Sequence, residues 1–202
     1  MSSMAPTKGN LMAAKHSREL AENGYELMDR KRNILVRELM ALIDQAEDIE
    51  KRIDEAFRSA YHSLRLANIS LGSVDDIAGA IPVDNSINVV FRSVMGVELP
   101  IVSSERESGK MPYGFTGTSS ALDDAYAEFN RAKRLALELA ETENSIYRLA
   151  YFIKKTRKRA NALKNIVIPG LDADIARITE ELEEKEREEF VRMKVIKARK
   201  MG

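Results

Sequence analysis

Two histidines, His16 and His62, two adjacent acidic pairs, Asp75-Asp76 and Asp123-Asp124, and one Gly109-Lys110 step are the residues whose types could do chemistry in this chain. Their spacing argues against it. If both histidines lie on one helix they stand roughly 70 Å apart at ~1.5 Å per residue, too far to share a metal or a proton. Adjacent carboxylates diverge from one another on a helix or strand, so the acidic pairs read as helix-end residues rather than an acid/base dyad. Gly109-Lys110 lacks the earlier glycine and the following Ser or Thr of a phosphate-binding loop. Asn68-Ile69-Ser70 matches a glycosylation sequon, but no apolar signal core precedes it. The reading is of a non-catalytic chain with no catalytic, cofactor-binding or metal-binding residue.

Composition narrows the class further. Charged residues make up 32% of the 202, aromatics only 6%, and there is no Trp, a thin payload for a thick globular core. Lys plus Arg number 32 and Asp plus Glu also 32, so net charge gives no argument for nucleic acid or an anionic membrane. Any electrostatic role must come from local segregation of charge. The absence of Cys removes disulfides, thiolate metal sites and Cys nucleophiles, and suits a reducing compartment. The longest apolar runs, such as Leu149-Ala150-Tyr151-Phe152-Ile153, fall far short of the ~18 residues a membrane span needs, so the expectation is a cytoplasmic protein without membrane insertion.

The elements that would carry any function are set by periodicity. Leu39, Leu42, Ala46, Ile49, Ile53, Ala56 and Ala60 recur at alternating steps of three and four, the a/d seam of a coiled coil. Thr7 reads as an N-cap and Gly72 as the C′ glycine, which predicts a helix over residues 8–70, about 95 Å long at ~1.5 Å per residue. A second helix is expected over residues 120–200, opening on Ser120 with Asp123 as a capping-box-like start. Pro169-Gly170 interrupts it, which predicts a kink near 169 or a brief break at Ile168. Between the helices, residues 71–119 form an insert. There, β-rich Ile87 to Phe91 and Val97 to Val102 flank a Met95-Gly96 turn candidate, followed by a Ser-, Gly- and Pro-rich connector read as mobile. The fold class is therefore all-α, a long antiparallel two-helix coiled coil with a small β-hairpin insert, in a single elongated domain spanning 1–202.

If the helices pair about this insert, residue i faces residue j where their numbers add to roughly 191. Pro169 then falls near Glu22 to Gly24, where the glycine's missing side chain would let the backbones approach, and residues beyond about Glu183 lack a partner helix. The same register gathers Arg30, Lys31, Arg32 and Arg37 opposite Lys154, Lys155, Arg157, Lys158 and Arg159. Such a positive belt repels itself in the free protein and suits an acidic partner surface; the plainer reading is a solvated helix face. The acidic run Glu180 to Glu189 followed by Arg192, Lys194, Lys197, Arg199 and Lys200 complements a helix dipole. Weak aromatic interleaving makes nucleic acid a poor fit.

Four segments in order carry a family resemblance: Ala5-Pro6-Thr7-Lys8-Gly9-Asn10-Leu11, Arg30-Lys31-Arg32-Asn33-Ile34-Leu35, Val94-Met95-Gly96-Val97-Glu98-Leu99-Pro100, and Arg159-Ala160-Asn161-Ala162-Leu163 with Ile166-Val167-Ile168-Pro169. Together they resemble the central-stalk D subunits of the V-type/A-type rotary ATPases. The resemblance implies a rotor that couples ATP hydrolysis or synthesis in the catalytic A and B subunits to ion transport. It implies two further partners, the F subunit of the stalk and the C subunit of the membrane-side rotor, and a location peripheral to the membrane through the complex. Met95 and Gly96 at the hairpin join the basic residues as candidate partner contacts. The competing reading is a free-standing coiled-coil adaptor or scaffold, which would normally build a homo-oligomer through exposed seams.

Overall fold

The computed structural model describes residues 5–104, 112–114 and 116–201, the last by its backbone alone. Its elements are α1 (Lys8–Leu71), the short α2 (Asp75–Ala80), β1 (Ile87–Val94), β2 (Val97–Ser104), α3 (Ser120–Ala162), a π-helical turn (Leu163–Val167) and α4 (Ile168–Met201). This is the expected class: two long helical segments with a two-stranded antiparallel hairpin between them. The chain divides into two compact units. The first comprises residues 1–33 and 154–202; the second comprises residues 34–153.

Helix α1 begins and ends where capping chemistry predicts. The Asn10 amide donates to Thr7 Oγ1 at 3.2 Å, satisfying one of the amides that a helix N-terminus leaves unpaired. At the other end Gly72 takes φ +81°, a left-handed conformation that costs glycine nothing, and its amide donates to Asn68 O at 2.9 Å.

In the second unit the core is discontinuous, as befits helices whose buried stripes are narrow. Leu35 and Leu42 of α1, Val97 and Leu99 of β2 and Leu149 of α3 form one cluster; Ala56, Ala132 and Leu135 form another; Ala67, Val74 and Leu122 form a third. The alanines at these seams let the helices approach closely. Tyr61 meets Phe129 edge-on at 5.4 Å and Ser70 Oγ lies 3.1 Å from Ser119 Oγ, so α1 and α3 run antiparallel within a few residues of the expected register.

The hairpin pairs Ile87 with Ser104 through Val94 with Val97, and turns at Met95 (φ +52°) and Gly96 (φ +74°). Two successive positive φ angles are the two-residue hairpin geometry whose twist matches that of the strands. Strand β2 faces the helices with Val97 and Leu99 fully buried, whereas β1 is exposed along nearly its whole length. Polar contacts fix the hairpin. The Val102 amide donates to Glu141 Oε2 at 2.7 Å, Arg148 donates to Glu98 O at 2.8 Å while lying over the Phe91 ring, and Arg92 pairs with Glu38 at 3.5 Å.

The insert also contains a helix that composition did not suggest. Asp75 and Asp76 form the first turn of α2, where negative charge suits the helix dipole, and buried Val74 anchors that turn beside Ala67 and Leu122. Asp84 then ties the following loop to α3 by pairing with Lys133 and accepting from the Ser86 amide at 3.0 Å. Part of the predicted mobile connector, including Gly109 and Lys110, lies outside the described residues. Within the described part, Tyr113 donates to Asp123 at 2.9 Å and packs edge-on against Tyr126, so it is anchored to α3.

In the first unit, α1 and α4 are also antiparallel: Arg18 donates to Asp172 at 2.8 Å and Lys8 pairs with Glu186 at 2.9 Å. The latter contact corrects one expectation, since cross-helix pairing reaches Glu186 rather than ending near Glu183. At Pro169 the backbone stays helical. The accommodation is the π turn just before it, in which the Ile168 amide donates to Leu163 O, five residues back.

Candidate interaction surface

The basic residues singled out from the sequence divide between the two units. Arg30, Lys31 and Arg32 belong to the first unit with Lys154, Lys155, Arg157, Lys158 and Arg159, whereas Arg37 is exposed on the part of α1 in the second unit. Within the first unit, the register set by Gly24 against Leu163 and Arg18 against Asp172 carries Arg30 to Arg32 to the level of Lys155 to Arg159. Thr156, almost fully buried, turns into the seam, while the basic side chains flanking it are exposed.

Charge in this cluster is partly offset. Arg30 pairs with Glu26 at 3.2 Å and Arg32 with Asp29 at 2.7 Å, both along α1. Such surface pairs are worth roughly 0–1 kcal/mol each, enough to relieve self-repulsion without removing the positive field. Along the opposing helix, residues 150–163 include no acidic side chain.

Met95 and Gly96 occupy the hairpin tip. Met95 is about half exposed and left-handed, a conformation that costs a non-glycine residue roughly 1–2 kcal/mol. The two-residue turn itself requires that left-handed φ at Met95.

From Arg187 to Lys200 every side chain of α4 is exposed. Phe190, Val191, Met193, Val195 and Ile196 are among them, an apolar surface that helix formation alone does not require. The segment supports itself by ion pairs along its own axis: Arg187 with Glu183 and Glu184, and Arg192 with Glu188.

Nothing here assembles a reaction centre among the described residues. His16 and His62 are exposed and lie in different units. Asp123 is occupied by the Tyr113 hydroxyl, which burial and that carboxylate push above the ordinary phenol range. A cavity of about 240 Å³ beneath the hairpin is lined by Leu42, Gln45, Arg92, Ile101, Glu141 and Ser145, but Arg92 and Glu141 already hold Glu38 and the Val102 amide. No three His, Cys, Asp or Glu side chains gather as a metal site, and no helix is long and apolar enough to cross a membrane, among the described residues.

Sequence reasoning missed the residues that dock the hairpin, Arg148 and Glu141, and the Asp84–Lys133 tie. Their partners lie tens of residues away, and no local pattern marks them.

Comparison with known proteins supplies what geometry does not. Residues 10–198 match the family model that describes the D subunit of ATP synthase. The chain is 45% identical over 197 residues to the V-type ATP synthase D subunit of Thermotoga neapolitana, covering 96% of this chain and 97% of that one. It is 37% identical over 198 residues to the A-type ATP synthase D subunit of Pyrococcus furiosus, covering 96% and 92%. Over 196 residues it is also 37% identical to the A-type ATP synthase D subunit of Methanopyrus kandleri, covering 95% and 84%.

Proposed function

The chain belongs to the family of ATP synthase D subunits, and from that premise we propose that it is the central-stalk rotor subunit of a V-type/A-type ion-translocating ATPase or ATP synthase. It does not hydrolyse ATP itself. It couples nucleotide chemistry in the catalytic A and B subunits to ion passage by rotating, and it works at the cytoplasmic face of the membrane, peripheral to it. The observation that carries this reading is the family match across residues 10–198, which takes in nearly all of α1, the hairpin, α3 and nearly all of α4.

Two surfaces support the partner assignments. The uncovered apolar side chains from Phe190 to Ile196 suit enclosure by the A and B subunits, with the basic residues of the first unit offering charge-lined contact. A polar bearing surface suits a shaft better than a large apolar one, because it can be remade at each angle without a single deep minimum. The exposed Met95-Gly96 tip and β1 in the second unit suit contact with the F subunit of the stalk or the C subunit on the membrane side.

The test is purification of a tagged chain from native membranes, followed by identification of everything retained. Recovery of the A and B subunits with ATPase activity, plus a small stalk subunit, is the expected result. Retention of the chain alone as a homo-oligomer would favour the scaffold reading and overturn the rotor.

A further inference from the structure

Within the first unit, the side chains that α1 turns inward follow one unbroken rhythm: Leu11, Ala14, Arg18, Ala21, Tyr25 and Met28, at steps of three and four. The opposing helix keeps that rhythm through Thr156, Ala160 and Leu163. It then takes a single step of five to Ile168, and resumes with Leu171, Ile175, Ile178 and Leu182. One residue is therefore surplus to the heptad on one helix only. In a continuous α-helix a surplus residue would rotate everything after it by about 100° away from the partner. Ile178 is nevertheless fully buried.

The π turn at Leu163–Val167 falls on that step of five and absorbs the surplus. Its support is thin. Pro169 has no amide hydrogen, so it can bond neither the Lys164 carbonyl in the π pattern nor the Asn165 carbonyl in the α pattern. The side chains from Lys164 to Val167 are all exposed, including Ile166 and Val167, and Lys164 reaches over the seam edge with its Nζ 5.6 Å from the centre of the Tyr25 ring. On the facing helix stands Gly24, whose nearest neighbour in the space a side chain would take is Leu163 Cδ1 at 3.8 Å.

We infer that the turn at Leu163–Val167 is a bending joint between α3 and α4 in this unit, created by the surplus residue and kept soft by Pro169. The seam closes on both sides of it, so α4 tilts at this point without losing its partner. Only the use of that tilt, letting the far end of α4 follow a surrounding partner, rests on the rotor reading.

The joint is tested on the isolated full-length chain, without any rotation assay. Hydrogen exchange at the amides of residues 164–168 is expected to run at least about tenfold faster than at residues 153–160 and 172–179. Equal protection across the three stretches overturns the joint. Deleting Asn165, an exposed residue of the turn, restores the heptad while keeping Lys164 and its contact with Tyr25, and is expected to bring exchange in the turn to within about threefold of its flanks. The same deletion should narrow the distance distribution between spin labels at Lys158→Cys and Ala176→Cys, which are unique labelling sites because the chain has no cysteine. Unchanged exchange and unchanged width in the deletion variant would remove the surplus residue as the cause. If that variant fails to fold, the exchange comparison on the unaltered chain decides alone. Failure here leaves the rotor reading standing, since none of these signals depends on a partner.

Discussion

Gly24 of α1 faces Leu163, the first residue of the π turn, across a gap that a methyl group would fill: a Cβ built on Gly24 stands 3.8 Å from Leu163 Cδ1, ordinary van der Waals contact. Gly24 is therefore not needed to let the backbones approach. A glycine inside a helix costs roughly 0.5–1 kcal/mol relative to alanine through the extra freedom of the unfolded chain. Gly24→Ala should accordingly raise stability by about that amount in urea or thermal unfolding followed by circular dichroism. A loss of stability instead would mean the seam at Leu163 is tighter than its geometry indicates.

This pair also shows how far the sequence could be read. The glycine and the proline were both legible, but the heptad arithmetic brought Pro169 near Glu22 to Gly24, whereas Gly24 stands against Leu163, six residues earlier. The π turn was not, because proline predicts a disturbance without specifying its form, and the surplus residue shows only when seam positions on both sides are known from burial. The long helices and the Met95-Gly96 turn were legible because each depends on local chemistry: periodicity, caps and turn residues. The hairpin's docking was hidden because Arg148, Glu98 and Phe91 meet only in three dimensions. The basic cluster was half legible. Spacing gave the residues, but Glu26 and Asp29, which temper Arg30 and Arg32, lay outside the run being read.

Asp84 should make the loop before β1 sensitive to acid. Hydrogen bonds from Lys133 and from Ser86 hold its carboxyl below the ordinary carboxylate range, and its side chain is only 10% exposed. A depressed native pKa contributes stability that is complete above the unfolded value near 4 and is lost as pH falls through the native value. Exchange of the Ser86 amide, which donates to Asp84 Oδ1, should therefore stay protected through neutral pH and lose protection only in strong acid. In Asp84→Asn the protection should be weaker and flat with pH. A wild-type profile that is flat across the same range would exclude the tie as a titrating element.

Met95 separates stability from contact. Replacing it with Asn, which tolerates left-handed φ and suits the first position of this turn, should stabilise the hairpin by about 0.5–1 kcal/mol. If the exposed methionine serves a partner, the same Met95→Asn change should weaken capture of a stalk or membrane-side subunit while the isolated chain melts higher. Unchanged capture would relegate Met95 to a tolerated turn residue.

Reversing the basic cluster on α3, with Lys154, Lys155, Arg157, Lys158 and Arg159 all changed to Glu, should leave helicity nearly intact. These side chains are exposed, and the buried Thr156 is untouched. Coupling between ATP hydrolysis and ion transport in reconstituted complexes should fall several-fold, with the greatest loss at low ionic strength, where exposed charges are least screened. A collapse of the circular dichroism signal with normal coupling in the folded fraction would make the cluster structural.

Removing residues 187–202 tests the uncovered end of α4. The cut falls just beyond Glu186, so the Lys8–Glu186 pair at 2.9 Å survives, and the deleted side chains from Arg187 to Lys200 are all exposed. Exposed residues held mainly by ion pairs along their own helix contribute little to folding, so the unfolding midpoint should move by no more than about 0.5 kcal/mol equivalent. Assembly is a different matter. Phe190, Val191, Met193, Val195 and Ile196 are about half to two-thirds exposed in the isolated chain, and covering apolar surface contributes about 25 cal/mol per Å² removed from water. Losing that surface should weaken retention of the A and B subunits in a native pull-down and lower coupled activity, while capture of a partner at the hairpin persists. Normal assembly and coupling after the truncation would show that rotation is driven without this end of the helix, and would shift the engaging surface to the basic cluster.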